Sequence, residues 1–371
     1  MNQRTRGMLG ASGFALLLSM MVPAAVLAED VPWQQAPAEL GRLIETTPEL
    51  GAMLEQVLAM QPDTSYWYGY STDDLVSFFE EWLVYSPLPA NPALYIEPFD
   101  HLADSEGGEL LFNNNVFSSW FIRFLDAAGE YLTTPASASS IPEWFADTSI
   151  HMEDFVVPEG GFTCFNDFFL RDLQPGARPL AGEGDPSILV SPSDGSIFRI
   201  FTEDIDTNFE VKRDVLNIRQ ALNNSPYAER FIGGDAVDIL LWFTDYHHFH
   251  SPVTGQIVEI GEYPGSYNYD FAHVDWYQDL ARHKRLCYLI ETDDFGMVAM
   301  IPVGFWGVGS CINERQVGDF VEKGDELGHF GYGGSSILLV FEPGAIQFIP
   351  EVTGEGRTVQ VRSQLGVATR D

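Results

Sequence analysis

Two periodicities divide the chain. From Pro37 to about Tyr131, apolar residues recur three and four positions apart. In "PAELGRLIETTPELGAMLEQVLAM" the residues Leu40, Leu43, Ile44, Leu50, Met53 and Leu54 fall roughly on one stripe, interrupted at Thr46-Thr47-Pro48. "STDDLVSFFEEWLVYSP" opens with a Ser/Thr/Asp capping signal and closes before Pro87, which predicts one amphipathic helix. "NNNVFSSWFIRFLDAAGEYL" predicts another. The small, Pro-containing stretch "TTPASASSIPEW", residues 133–144, reads as a linker. From about Phe162 the period changes. Short runs of β-formers, among them "SILVSPSDGSIFRIF", "AVDILLWF", "GQIVEIGEY" and "ILLVFEPGAI", are punctuated by Gly, Pro and Asp. Their close spacing predicts a mainly antiparallel sheet or barrel. The expected class is α+β, with a helical N-terminal domain followed by a β-rich domain. The closing "EVTGEGRTVQVRSQLGVATRD" is expected to form a strand pair.

The first residues stand outside that pattern. Arg4 and Arg6 precede the apolar run "GFALLLSMMVPAAVLA", and acidic sequence begins at Glu29. This is the layout of a secretory signal peptide cut after Ala28. An uncleaved anchor is the alternative, although the run is short for a full span, and no second segment has transmembrane length. The expected divisions are a signal peptide over 1–28, a helical domain over 29–140 and a β-rich domain over 141–371. The mature protein would be exported, to a periplasm or the medium, either free or peripheral at a membrane. With 371 residues, of which 45% are hydrophobic, the chain can bury large cores. Its formal charge of −35 repels nucleic acid and anionic headgroups at long range, so nucleic-acid binding is excluded as a class. Cys164, Cys287 and Cys311 show no zinc-type spacing and leave one thiol over from any disulfide.

Candidate chemistry is sparse. The sequence has no GxGxxG after a strand, no P-loop and no GxSxG elbow. "TDYHHFHSPVTG" carries His247, His248 and His250. On an extended strand His248 and His250 share one face and His247 takes the other. A metal site, a structural cluster and general acid–base catalysis are all open readings. "SPSDGSIF" offers Asp194, in a dipeptide that is also a common turn. "GHFGYGGSSILLVFEPG" offers Ser335 directly after Gly333 and Gly334. Glycine pairs adopt backbone conformations closed to other residues and let a group approach the main chain. A plain turn into a strand explains the same four residues.

Taken together, five segments change that balance. "TCFNDFFLRDLQPGARPL", "SPSDGSI", "DYHHFHSPVTGQI", "EKGDELGHFGYGGSS" and "LLVFEPG" occur in order from roughly Phe162 to Phe348. In this register the chain resembles the phosphatidylserine decarboxylases. The resemblance implies a pyruvoyl enzyme made as a self-cleaving proenzyme. It implies cleavage between Gly334 and Ser335 by Asp194, His250 and Ser335, with residue 335 becoming the covalent pyruvoyl group. His250, held by Asp194, would take the serine proton, and a protonated His247 would serve later in decarboxylation. The pyruvoyl ketone would condense with a substrate amine and accept the electrons left by carbon dioxide. No metal is implied. His248 fills a variable position of the pattern, and Ser336 stands where the family usually has threonine. The products would be a long β chain, 29–334, and a short α chain, 335–371, still packed together.

The resemblance makes phosphatidylserine the first substrate, giving phosphatidylethanolamine. The N-terminal helices, however, are acidic where lipid-facing helices carry Lys or Arg. They also resemble the extension of a branch that includes soluble enzymes acting on free L-tryptophan, so a free aromatic amino acid is the alternative. The aromatic-rich "GEYPGSYNYDFAHVDWY" would line either pocket or simply pack. A third reading comes from "VEKGDELGHF", which resembles the turn of barrel-sandwich carrier modules, but no lysine sits at a carrier-like hairpin tip. On that reading the chain would be a non-catalytic binding module.

Overall fold

The computed structural model describes residues 32–201, 217–265, 280, 283–305, 307, 310–354 and 356–369. The signal peptide expected over 1–28 and most of the aromatic stretch after Gly265 lie outside them. The helical half begins with α1 (Ala36–Thr46) and α2 (Pro48–Ala59), and Pro48 opens α2, where its missing N–H costs nothing. A capping box starts α3 (Thr72–Leu83): the Ser71 hydroxyl accepts from the Asp74 N–H, and the Asp74 side chain accepts from the Ser71 N–H. After the short α4 (Ile96–Ala103) and α5 (Gly108–Asn113) comes α6 (Asn115–Leu132), whose first N–H groups the Asn114 side chain accepts. The apolar stripes of α3, α4 and α6 meet in an aromatic core. Phe79 lies 4.8 Å from both Trp120 and Phe124, and Phe99 lies 4.6 Å from Phe121. Trp120 and Trp144 are buried without losing a hydrogen bond, because their indole N–H groups donate to the Ala36 and Pro87 carbonyls at 2.8 Å.

The stretch expected as a linker is packed structure. Pro135–Ser140 forms a 3-10 turn that runs into α7 (Ile141–Ala146), with Ser137, Ser140, Ile141 and Trp144 buried. Its small side chains permit close packing rather than flexibility. The Ser137 hydroxyl donates to the Leu132 carbonyl at 2.8 Å and accepts the Phe165 N–H at 2.9 Å, joining α6 to α8 (Phe165–Phe169).

The remaining described chain is β-rich and antiparallel. Its strands are β1 (Ile188–Val190), β2 (Gly195–Phe201), β3 (Ala236–Leu241), β4 (His248–His250), β5 (Gly255–Tyr263), β6 (Lys284–Thr292), β7 (Gly296–Phe305), β8 (Cys311–Asn313), β9 (Phe320–Val321), β10 (Glu326–Phe330), β11 (Gly334–Phe341), β12 (Ile346–Phe348), β13 (Thr358–Val359) and β14 (Gln364–Ala368). The largest sheet has the order β13-β2-β3-β11-β7-β6-β5-β9. Every residue of β11 is buried. Ile337 and Leu339 enter one apolar core and Leu338 and Val340 another, which explains why this run does not alternate with polar residues. A second sheet, β4-β10-β8, carries the histidines. The C-terminal stretch departs from the expected strand pair. β13 joins β2, whereas β14 lies between β1 and β12, so its two strands complete different sheets. All three cysteines are free thiols. Among the described residues, no helix is long and apolar enough to cross a membrane.

Candidate active site

The Gly-Gly-Ser-Ser stretch starts a central strand. Gly333 has φ 142°, a conformation that side chains resist, and Gly334 then begins β11. Ser335 faces Leu241 of β3 and Gly304 of β7 across the two ladders. Ser335 and Ser336 are fully buried, and among the described residues neither hydroxyl has a hydrogen-bond partner. Leaving a buried hydroxyl unpaired costs about 1–3 kcal/mol. Two in succession, inside an otherwise apolar strand, are hard to account for by packing.

The histidines divide by strand alternation. Tyr246 stacks against His248 and His250, with centroids 4.9 and 5.8 Å apart, so these three share a face. His247 instead lies 4.1 Å from the Phe169 ring. The carbonyls that the rings meet settle their tautomers, because a carbonyl only accepts. His247 Nδ1 donates to the Asp245 carbonyl at 3.0 Å, and its Nε2, left with the lone pair, has no partner. His250 Nδ1 donates to the Gly324 carbonyl at 2.9 Å, and its Nε2 accepts the Tyr246 hydroxyl at 3.1 Å. Burial pushes His247 down to about 3 and His250 down to about 4, so both are neutral bases at ordinary pH. At rest His247 is neutral; the resemblance calls for its protonated form only in decarboxylation. His248 behaves differently. Burial opposes its charge, but the Glu326 carboxylate and the Leu170 carbonyl outweigh burial and raise its pKa. Asp245, between Tyr246 and the end of β3, is raised by burial to about 6 although it accepts the Trp242 N–H at 2.6 Å.

Asp194 does not hydrogen-bond to His250. Its carboxylate accepts Arg178 Nε and Nη2 at 3.2 and 2.8 Å and the Val361 N–H at 2.8 Å. The two residues are still held in register, because the His250 N–H donates to Pro192 O at 2.8 Å and fixes the Asp194 turn against β4. Arg178 also binds Asp154 at 2.6 Å. Arg171 is buried over the Phe155 ring and donates to the Thr244 carbonyl at 2.8 Å, pinning the backbone that leads into the histidines. Tyr332, two residues before Gly334, packs 5.1 Å from Phe169 and donates to the Pro92 carbonyl at 2.7 Å. Sequence reasoning gave no role to Arg171, Arg178, Tyr246, Glu326 or Tyr332. One signal was present for the arginines. In a chain with 19 Lys and Arg against 54 Asp and Glu, a cation set among phenylalanines points to a buried pairing.

A family model described as phosphatidylserine decarboxylase matches residues 165–367, more than half the chain, and spans Asp194, His247, His250 and Ser335. The chain belongs to the phosphatidylserine decarboxylase family. Its members are carboxy-lyases made as proenzymes, with a covalent pyruvoyl group formed from a serine on cleavage. Phosphatidylserine decarboxylase proenzyme 2 of Oryza sativa subsp. japonica is 33% identical over 254 residues, covering 66% of this chain and 40% of that protein. The chain therefore spans well under half of the rice relative. The phosphatidylserine decarboxylase proenzyme of Fusobacterium nucleatum is 30% identical over 251 residues, 67% of this chain and 79% of the relative. Decarboxylase iboD of Amanita muscaria is 30% identical over 311 residues, 72% of this chain and 89% of the relative. The site suits the family's group, since Ser335 presents a buried, partnerless hydroxyl beside a glycine-only backbone turn.

Proposed function

We propose that this chain is the proenzyme of a pyruvoyl-dependent decarboxylase and cuts itself between Gly334 and Ser335. The observation that carries the reading is the unpaired Ser335 hydroxyl at the head of β11, in a fold that also holds two neutral imidazoles. In the cut, Ser335 Oγ attacks the Gly334 carbonyl carbon and its proton passes to an imidazole. The C–N bond breaks as the ester forms. Elimination then releases Gly334 as a carboxylate, and the dehydroalanine left at residue 335 loses ammonia to water, giving the pyruvoyl group.

We assign the cut to Asp194, His250 and Ser335, and proton return during turnover to His247. The Gly324 carbonyl fixes the tautomer of His250, the role a carboxylate plays in a triad. Tyr246 must give up Nε2 before that nitrogen takes a proton. Asp194, engaged by Arg178, holds the turn whose Pro192 carbonyl accepts the His250 N–H, rather than the His250 ring. His247, neutral at rest, accepts a proton before it donates one. The pyruvoyl carbonyl would supply an electron sink for loss of carbon dioxide from an amine-bearing substrate.

The relatives' names support phosphatidylserine as the substrate, with phosphatidylethanolamine as product. A free aromatic L-amino acid such as tryptophan is the second reading, favoured by an aromatic cavity beside the cleavage segment. The basic start and apolar run of residues 1–28, the layout of a signal peptide, support an exported protein. Carbon dioxide release from both substrates, with and without prior borohydride treatment, tests the reading. We expect release from at least one of them, abolished by borohydride. Release that survives borohydride contradicts a pyruvoyl enzyme.

A further inference from the structure

Arg171 follows α8 by two residues and is only 2% exposed. Its guanidinium lies over the Phe155 ring at 4.2 Å and the Phe168 ring at 5.1 Å. The polar contacts run in two directions. Nη1 donates to the Phe168 and Phe169 carbonyls at the end of α8, both at 3.4 Å. Nη2 donates to the Thr244 carbonyl at 2.8 Å and reaches the Asp245 carbonyl at 3.5 Å. Among the described residues, Nε has no partner and the other two nitrogens meet only carbonyls. Burial lowers Arg171 to about 10, so the cation survives at ordinary pH. A buried cation without a paired carboxylate is a costly way to fill space, and packing alone does not explain it.

The two directions lead to the two walls of His247. Phe169, at the end of α8, lies 4.1 Å from the His247 ring, and the Asp245 carbonyl accepts His247 Nδ1 at 3.0 Å. One guanidinium therefore ties the residue that packs against the ring to the peptide that fixes its tautomer. The His250 ring is held elsewhere, by the Gly324 carbonyl and the Tyr246 hydroxyl. His247 is left fixed in place and tautomer, with Nε2 unpartnered among the described residues. The charged groups that face it are Arg171 and His248, and both add to burial in keeping it neutral. Lysine would not replace the arginine here. A guanidinium presents its donors in fixed directions, whereas an ammonium is a point charge on a flexible stem.

We propose that Arg171 is a positioning residue for turnover: by joining the end of α8 to the 244–245 peptide it sets the His247 ring, and so Nε2, for proton return to the decarboxylated substrate. The proposal rests on the decarboxylase reading. Its test compares Arg171→Lys, His247→Gln and the double variant as full chains, using phosphatidylserine in mixed micelles or L-tryptophan, whichever the wild type turns over. Arg171→Lys should still cut itself to completion, as read by intact mass. Its kcat should fall about tenfold or more, with KM within about twofold of wild type. In the His247→Gln background the same substitution should cost less than about twofold, because the ring it positions is gone. A second readout follows a misplaced proton. If the electron pair left by carbon dioxide is protonated at the α carbon of residue 335 instead of the substrate carbon, water releases the substrate as an aldehyde. The substrate nitrogen then stays behind, and residue 335 becomes alanine. The fraction of α chains beginning with alanine after a fixed number of turnovers should therefore rise in Arg171→Lys. An equal loss of kcat in both backgrounds overturns the proposal, as does an alanine fraction no higher than that of the wild type. So does an Arg171→Lys chain that folds but does not cut itself. Should the lysine variant not fold, Phe169→Leu, which strips the other wall of the ring, carries the same comparison. A wild type that never cuts itself sinks the decarboxylase reading, and this proposal with it.

Discussion

Arg178 shows how much one cation carries in a chain this acidic. It is almost fully buried and answers two carboxylates, Asp194 and Asp154. Burial alone would lower its pKa, and the two carboxylates more than offset that. Arg178→Met leaves Asp194 buried without a countercharge, a loss of about 3–5 kcal/mol that a denaturant melt would register. Because Asp194 anchors the turn against the His250 backbone, the same variant should cut itself more slowly. A melt within about 0.5 kcal/mol of wild type would mean that Asp194 is solvated or held by other groups. The role of Asp194 was legible in sequence only as far as its type and position. An Asp-Gly pair marks a turn equally well with or without a task, and nothing local tells that its partner sits at 178. Ser335 was legible only through its register with the other family segments, because a plain turn into a strand explains Gly333 and Gly334 as well; in the structure Gly333 does adopt an unusual backbone.

At the scale of elements, β4 sorts the histidines by its alternation, which the sequence anticipated for His248 and His250. It did not anticipate how deeply they would sit. Depth follows from α8 and the aromatic residues around it, and no window along the chain brings Phe169 to His247. The consequence is a pH dependence. Both bases stay neutral in the folded protein down to about pH 4, so the rate of self-cleavage should be flat from about pH 5 to 8 and fall only near 4. Folding stability, in contrast, should begin to fall at about pH 6.5, because the unfolded chain takes up protons there that these buried rings refuse. Each contributes about 1.4 kcal/mol per pH unit until its folded value is reached. His248 opposes this with its raised pKa: its pairing with Glu326 stabilises fully below about pH 6.5 and is lost as pH rises through its folded value. A time course of cleavage against pH checks the sign, and an acid limb near 6.5 would mean solvated imidazoles. The helices were the most legible elements, since caps and 3.6-residue spacing are local. The 133–144 stretch was misleading, because small residues look the same in a linker and in a tight packing joint.

Across the whole molecule, the proposed cleavage bond lies at the start of β11, the strand at the centre of the large sheet. β11 is hydrogen-bonded to β3 on one side and β7 on the other, and β12, β13 and β14 follow it into all the remaining space of the α chain. A cut after Gly334, its first residue, would free one end and leave the ladders of Ser335–Phe341 intact, so the two chains would stay paired. The helical half is tied to the same region, through Tyr332 and Pro92 and through an aromatic core that runs on into Phe165, Phe169 and Tyr246. The α+β division was legible from the change of period. That the two halves share a core was not, because such contacts join residues far apart in sequence. The central claim is that this chain breaks and rebuilds its own residue 335. The intact mass of the purified protein, measured under native and then denaturing conditions beside Ser335→Ala, tests it most directly. We predict one complex that separates in denaturant into two chains, the shorter beginning at residue 335 with a pyruvoyl group in place of serine, and an uncut Ser335→Ala chain. A wild-type protein that stays a single chain, or one whose short fragment begins with an intact serine, would contradict the account and favour a non-catalytic binding module.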